Sequence, residues 1–248
     1  MTKNSKYTKK ELLLLIYIVL FQSIFFFILD YFLSQPLSYR KYIYQENPLE
    51  NNNKWITILN LGICETFETN IKGFPSINCL KFLILIYYGV FVSWFLITPF
   101  LAYKYIDKNR IRLLLKTYLI ILLISFLIFL IFPIQALKEF QLEVDGESKS
   151  FFDPFIAKLY KLDNRRFCSL PSLHVALSWL CYVAFRFQSD NKIIKKIMLI
   201  QLLIAILVFI STFVLKQHYI MDGVISIILV EIVLYFVFGK NQKIKKIY

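Results

Sequence analysis

The sequence predicts an all-α integral membrane protein, a bundle of six spanning helices, and three observations support this fold class. Of its 248 residues, 58% are hydrophobic and only 18% are charged, whereas a soluble domain is about a quarter charged. The apolar residues form runs of about 20, the length that crosses a bilayer as a helix. The basic residues lie between these runs, unevenly distributed along the chain.

The six predicted spans are apolar runs that contain few charges. They cover residues 12–33, 82–103, 113–132, 170–187, 197–215 and 219–239. The first run follows Lys9 and Lys10 as a signal peptide would, but it is too long for one and has no small-residue cleavage site after it. We therefore predict that this span is retained and that residues 1–248 form a single membrane domain.

The net charge of +13 predicts the orientation of the bundle. Four pieces of the chain share one side of a six-span protein, and their net charges account for the whole excess: +3 in residues 1–11, +3 in 104–112, +3 in 186–196 and +4 in 240–248. Short cytoplasmic loops carry the excess of Lys and Arg in membrane proteins. Both termini are therefore predicted to be cytoplasmic, and the charge does not indicate a nucleic-acid partner.

The opposite side carries two long connections, residues 34–81 and 133–169, and a very short one around 216–218. This layout predicts that the active site is extracytoplasmic, or lumenal if the protein lies in an internal membrane. The cell membrane is the expected location. Cys64 and Cys79 both fall in the first connection, so a disulfide between them is one alternative in an oxidising compartment.

The first of only two histidines, His174, lies at the outer end of the fourth span. Pro171 suits the first turn of a helix, and Ser169 suits the N-cap before it. The amides near Ser172 and Leu173 would then point outward, where a helix N-terminus attracts anions. His174, one turn into the helix, would face the same anion.

The second histidine, His218, lies at the outer end of the sixth span, and Asp222 follows it four residues later. Residues at this spacing share a face of a helix. A carboxylate that bonds one ring nitrogen fixes the tautomer and leaves the other nitrogen as a nucleophile or base. A lone histidine at a helix end is more often an interfacial residue without chemistry, and that alternative remains open for each histidine taken singly.

Together these residues resemble a known family. Pro171-Ser172-x-His174 and Ser211-x6-His218-x3-Asp222 are similar to the second and third signature motifs of the type 2 phosphatidic acid phosphatase superfamily. Residues 169–176 and 216–219 are most similar to its branch of inositol phosphorylceramide synthases and related bacterial lipid phosphatases. The resemblance covers the six-span layout and about residues 113–239, and its strength lies in the pairing and order of the two motifs.

The resemblance implies three catalytic residues. His218 would attack phosphorus and form a phosphohistidine, Asp222 would orient His218, and His174 would protonate the departing oxygen. Water, or the hydroxyl of another lipid, would then release the phosphoryl group. No metal and no cofactor are expected.

The phosphate-binding set implied by the resemblance is less complete. Backbone amides around Ser172 and Leu173 and the hydroxyls of Ser211 and Thr212 would hold the phosphoryl oxygens, although both hydroxyls could instead bond within their own helix. Thr212 stands where the superfamily usually has Arg, and the usual first motif, Lys-x6-Arg-Pro, is absent. A phosphate needs cations, and the candidates are Lys216 first, then Lys138, Arg165 and Arg166.

The function expected from these observations is hydrolysis of a phospholipid or isoprenoid phosphate or diphosphate at the outer leaflet. The first alternative is a lipid head-group phosphotransferase that passes the group to diacylglycerol or ceramide. The second alternative is an inactive lipid-binding or transport relative. Glu231, in the middle of the sixth span, is open to a functional or a structural role between helices.

Overall fold

The computed structural model describes residues 9–34, 81–131, 151–162, 170–186, 191–215, 217–218 and 220–239. This part of the chain is all-helical and contains no strand, which confirms the predicted class. Its seven helices are α1 (Lys9–Ser34), α2 (Leu83–Tyr105), α3 (Lys108–Ile131), α4 (Asp153–Leu162), α5 (Leu173–Phe185), α6 (Lys192–Val214) and α7 (Ile220–Gly239).

Four of these helices, α2, α3, α6 and α7, are long and apolar enough to cross a membrane. They match the second, third, fifth and sixth predicted spans and are consistent with an integral membrane protein. Helix α1 contains the apolar stretch Leu13–Phe25, and α5 has 13 residues, about 20 Å of helix against a hydrocarbon core of about 30 Å. The count of six spans and the cytoplasmic placement of both termini stay predictions.

Helix α5 is short and lies at the centre of the bundle. It packs against α2, α3, α6 and α7, and most of its side chains are buried. An apolar helix of 10–14 residues is typical of a buried core helix. The residues predicted to face the anion therefore begin the helix that the others surround.

The start of α5 differs from the prediction. Ser172 is the N-cap, with extended backbone (φ −70°, ψ 109°), and its hydroxyl accepts the amide of Val175 at 3.5 Å. The prediction that Ser169 is the N-cap and that the helix begins at residue 170 is wrong. Pro171 lies before the cap instead of in the first turn, and a serine with non-helical backbone is a preferred N-cap.

Helix α2 contains a π-helical segment, Ser93–Ile97, in which the amide of Thr98 donates to the carbonyl of Ser93 five residues earlier. Pro99 follows directly and has no N–H to give to the carbonyl four residues before it. The wider turn accommodates this lost bond inside the span. Such segments occur often at functional sites.

Helix α4 lies in the connection 133–169, where no helix was predicted. Its apolar side joins a small core formed by Ile84, Tyr87, Ile156, Leu159 and Leu215. In addition, the ammonium of Lys81, just before α2, lies 2.6 Å from Oδ1 of Asp153 in a pair that is at most 9% exposed. Helix α4 is thereby attached beside the start of α2 and the end of α6.

Glu231 has a structural partner. Both terminal guanidinium nitrogens of Arg186 donate to its carboxylate, at 2.7 and 2.8 Å, and the indole N–H of Trp179 donates to it at 2.7 Å. Arg110 in turn donates to the carbonyl of Arg186 at 2.7 Å. This network links α3, α5 and α7 at the end of α5 away from His174, which favours the structural alternative for Glu231.

Candidate active site

The two histidines lie together. The rings of His174 and His218 have centroids 6.0 Å apart, although 43 residues of chain separate them. His174 sits in the first turn of α5, and His218 lies in the corner between α6 and α7. The structure therefore brings both predicted catalytic rings to one end of the bundle, called the histidine end below.

The corner before α7 is closed by backbone bonds that hold His218 in place. The amides of Gln217 and His218 both donate to the carbonyl of Thr212, at 3.0 and 3.2 Å, and the amide of Leu215 donates to that of Ser211 at 2.9 Å. The last carbonyls of a helix lack partners within it. Here the corner supplies them, so the position of His218 follows from the way α6 ends.

Asp222 joins His218 as the spacing predicted. Its Oδ2 lies 3.5 Å from Nδ1 of His218, and the two side chains are 4% and 10% exposed. The carbonyl of Asp222 also accepts the amide of Ser172 at 3.4 Å and the hydroxyl of Ser226 at 2.5 Å. One residue thus faces the second histidine with its side chain and fixes the start of α5 with its backbone.

Helix α2 surrounds His174 with aromatic rings, a contribution that the sequence analysis missed. Tyr87 stacks on the imidazole at 4.5 Å with an angle of 27°, while Trp94 and Phe91 lie at 5.5 and 5.8 Å. Their numbers differ by four and three, a spacing that places them on one helix face. Within the described part of the chain, nothing hydrogen-bonds to the buried Nε2 of His174.

A short relay connects this aromatic face to the backbone of α5. The indole N–H of Trp94 donates to the hydroxyl of Ser178 at 3.1 Å, and that hydroxyl donates to the carbonyl of His174 at 2.8 Å. Trp94 is therefore fixed both by ring contact with His174 and by a hydrogen bond one turn further along α5.

The predicted phosphate-binding groups are arranged differently from the expectation. The amide of Ser172 is bonded to Asp222 and its hydroxyl caps α5, so Ser172 joins helices here; the amides of Leu173 and His174 are those without a partner inside the helix. The hydroxyls of Ser211 and Thr212 are buried and donate to Val208 and Phe209 of their own helix, at 2.8 and 2.9 Å. The within-helix alternative therefore describes both hydroxyls.

The predicted cations lie outside the described residues, and their roles stay predictions. They are Lys138, Arg165, Arg166 and Lys216, and Cys64 and Cys79 lie outside as well. A cation that the sequence analysis overlooked is Lys81, whose pair with Asp153 adjoins the small core that contains Tyr87 and Leu215. Its signal was a lysine directly before an apolar run.

Comparison with known proteins yields one match. A family model described as the PAP2 superfamily matches residues 64–236, a range that includes α2 to α6, most of α7 and the three predicted catalytic residues. No curated protein and no solved structure matches the chain significantly. The match begins well before residue 113, where the resemblance in sequence began, and it does not distinguish the inositol phosphorylceramide synthase-like branch. The chain belongs to the PAP2 superfamily.

Proposed function

We propose that this protein transfers a phosphoryl group from a lipid phosphate or diphosphate, with water as the first-choice acceptor. Membership of the superfamily indicates a lipid phosphatase or phosphotransferase. The observation that carries the finer proposal is the approach of His174 to His218, 6.0 Å between ring centroids, with Asp222 at Nδ1 of the second ring. Two imidazoles and one carboxylate at this spacing supply a nucleophile, its orienting group and an acid.

In the first step, Nε2 of His218 attacks phosphorus as the bond from phosphorus to the leaving oxygen breaks. Protonated His174 gives the proton on Nε2 to that oxygen, so the lipid alcohol leaves neutral. Asp222 stabilises the positive charge that develops on His218. The support for these roles is that Nδ1 of His218 faces the carboxylate, which leaves Nε2 for the phosphorus, and that Nε2 of His174 is buried without a protein partner in the described chain.

In the second step, water attacks the phosphohistidine and the bond between nitrogen and phosphorus breaks. Neutral His174 accepts the proton of the water, which returns both histidines to their starting forms. In this proposal the amides of Leu173 and His174, in the first turn of α5, stabilise negative phosphoryl oxygens, because a helix N-terminus attracts anions. Hydrolysis and transfer share this chemistry and differ only in the acceptor.

A phosphotransferase is the second candidate, in which a lipid hydroxyl replaces the water. The feature that favours it is the packing of His174 against Tyr87, Phe91 and Trp94, which limits the access of water to the ring. Exclusion of water protects a reactive intermediate from hydrolysis. An inactive lipid-binding relative is less well supported, since all three proposed catalytic residues are present.

Turnover with defined lipids tests the proposal. The purified protein is offered phosphatidate, phosphatidylglycerol phosphate, a polyprenyl diphosphate or an inositol or choline phospholipid, with and without diacylglycerol or ceramide and with a chelator in parallel. Free phosphate identifies hydrolysis, and a new phospholipid identifies transfer. We expect turnover that resists the chelator and is lost in His218→Ala. Turnover that persists in His218→Ala, or that stops with the chelator, would refute the mechanism; a folded protein that turns over none of the substrates would support the inactive alternative.

A further inference from the structure

Helix α4 has a side that the described part of the chain leaves uncovered. Asp153, Ile156 and Leu159 are buried, as expected for positions three apart on one helix face. On another side lie Phe155, which is 39% exposed, and Phe151, just before the helix, which is 75% exposed. The two rings lie side by side, with centroids 5.7 Å apart. Large apolar residues exposed next to each other are a feature of interaction surfaces.

The uncovered side of α4 also carries positive charge. Lys158, three residues after Phe155, is exposed, and this spacing places it next to that ring on the helix. The only acid among the ten residues of α4 is Asp153, which is buried and paired with Lys81. Aromatic residues together with lysine on the surface of an amphipathic helix are typical of a helix that lies in a membrane interface. The positive charge favours anionic lipid head groups.

The position of α4 along the bundle matches the level of such an interface. It packs against Ile84 and Tyr87 of α2 and against Leu215, the C-cap of α6. The hydroxyl of Tyr88 also donates to the carbonyl of Phe155 at 3.4 Å. From the start of α2 to Tyr88 the helix rises about 8 Å, and the head-group region beside the hydrocarbon core is about 5–8 Å thick. Helix α4 therefore lies beside the ends of two helices that are long and apolar enough to cross a membrane.

We propose that α4 binds the lipid surface at the histidine end, with Phe151 and Phe155 at the boundary of head groups and acyl chains and Lys158 at anionic head groups. The inference goes beyond the proposed function, since it concerns the partner of α4 and holds with or without turnover. Tyr87 belongs to the small core that α4 covers and stacks on His174. Anionic lipids that gather at α4 are therefore close to the candidate active site.

Photocrosslinking from the protein to lipid tests the partner. A diazirine analogue of phenylalanine replaces Phe155 in the full-length protein, which is placed in nanodiscs of equal amounts of phosphatidylcholine and phosphatidylglycerol, and mass spectrometry identifies the adducts. The same analogue at Leu130, exposed in the last turn of α3, is the lipid-facing reference, and at Asn109, exposed in its charged first turn, the water-facing one. We expect lipid adducts at Phe155 at the level of Leu130. Reaction with water as at Asn109, or crosslinks to a second copy of the chain in place of lipid, would overturn the proposal.

The charge of the bound lipid supplies the second test. Phosphatidylglycerol adducts at Phe155 should outnumber phosphatidylcholine adducts about two- to fivefold, because a lysine near the surface attracts anionic lipids. Lys158→Glu should abolish this excess. Lys192→Glu is the matched control, since Lys192 is an exposed lysine at the start of α6, and it should retain the excess. An excess that is absent with Lys158 present, or that is unchanged in Lys158→Glu, would overturn the choice of an anionic partner. Neither test depends on turnover, so failure of either is distinct from failure of the proposed function.

Discussion

The Nδ1 atom of His218 lies 3.5 Å from Oδ2 of Asp222, four residues later in the chain. Asp222→Asn removes the negative charge but retains the shape, so His218 loses its orientation and the stabilisation of its positive form. We expect kcat to fall roughly 10²- to 10⁴-fold with little change in KM. Steady-state kinetics on the best lipid substrate measures this.

Asp107→Asn is the matched control for that change. Asp107 accepts the amide of Arg110 at 3.1 Å at the start of α3, away from the histidines, and Asn replaces Asp well at such a position. We expect turnover within about twofold of the parent protein, because the cap is retained. An equal loss in the two variants would mean that Asp222 has no special role.

The different roles proposed for the two histidines predict different responses to the leaving group. His174→Ala removes the acid, so a lipid phosphate with an activated leaving group such as nitrophenol should still react, whereas an alkyl ester should lose about 10²- to 10⁴-fold in kcat. His218→Ala removes the nucleophile, so both substrates should lose turnover. The ratio of the two rates is the measurement; equal ratios in both variants would contradict the assignment of acid and nucleophile.

Gly223 lets α7 approach α6 closely beside the candidate site. A Cβ atom at this position would lie 2.3 Å from Cε2 of Phe209, so Gly223→Ala must displace the ring or the helix. We expect a loss of about 1–3 kcal/mol in the free energy of unfolding, measured by thermal or denaturant unfolding in detergent. Phe209→Leu should restore part of this stability in the double variant.

Gly89→Ala is the comparison for Gly223→Ala, since a Cβ atom at Gly89 meets nothing within 4 Å. Alanine favours a helix interior over glycine by about 1 kcal/mol. Gly89→Ala should therefore be neutral or stabilising. Similar destabilisation by both substitutions would show that the contact with Phe209 is not the cause.

The buried pair of Lys81 and Asp153 should hold α4 against the bundle. Asp153→Asn leaves the ammonium of Lys81 without its charged partner, 2.6 Å away in the parent protein, and breaking a buried pair costs about 3–5 kcal/mol. We expect amide hydrogen exchange in α4 to be faster in Asp153→Asn than in the parent protein, while exchange in α3 stays unchanged. Exchange in the charge-swapped variant Lys81→Asp/Asp153→Lys should be closer to that of the parent protein, and unchanged exchange in Asp153→Asn would exclude the attachment.

Length and hydropathy predicted the long helices, because a spanning helix is recognised by a run of about 20 apolar residues. Helix α4 was not predicted, because its ten residues are amphipathic and only their apolar side faces Ile84 and Leu215. The start of α5 was misplaced because Ser169 and Ser172 are both suitable N-caps, and only the packing against Asp222 distinguishes them.

The candidate site was predictable where its geometry is local. The four-residue spacing of His218 and Asp222 predicted their contact, although His218 lies just before α7 and not within it, and the order of the motifs predicted that His174 would join them. The aromatic face of α2 was not predicted, because its contact with His174 is between distant parts of the chain. In a sequence with 18% aromatic residues, a helical spacing of three aromatic residues has little specificity.

The π-helical segment Ser93–Ile97 separates the half of α2 that contains Tyr87 from the half that contains Ala102. One extra residue in a turn changes the angular register of everything after it by about 100°. Deletion of a single residue from the segment would therefore rotate the half that contains Thr98 and Ala102 and leave the half that contains Tyr87 unchanged. This one register shift would change which residues the later half of α2 turns toward α5, while the ring stacked on His174 stays in place.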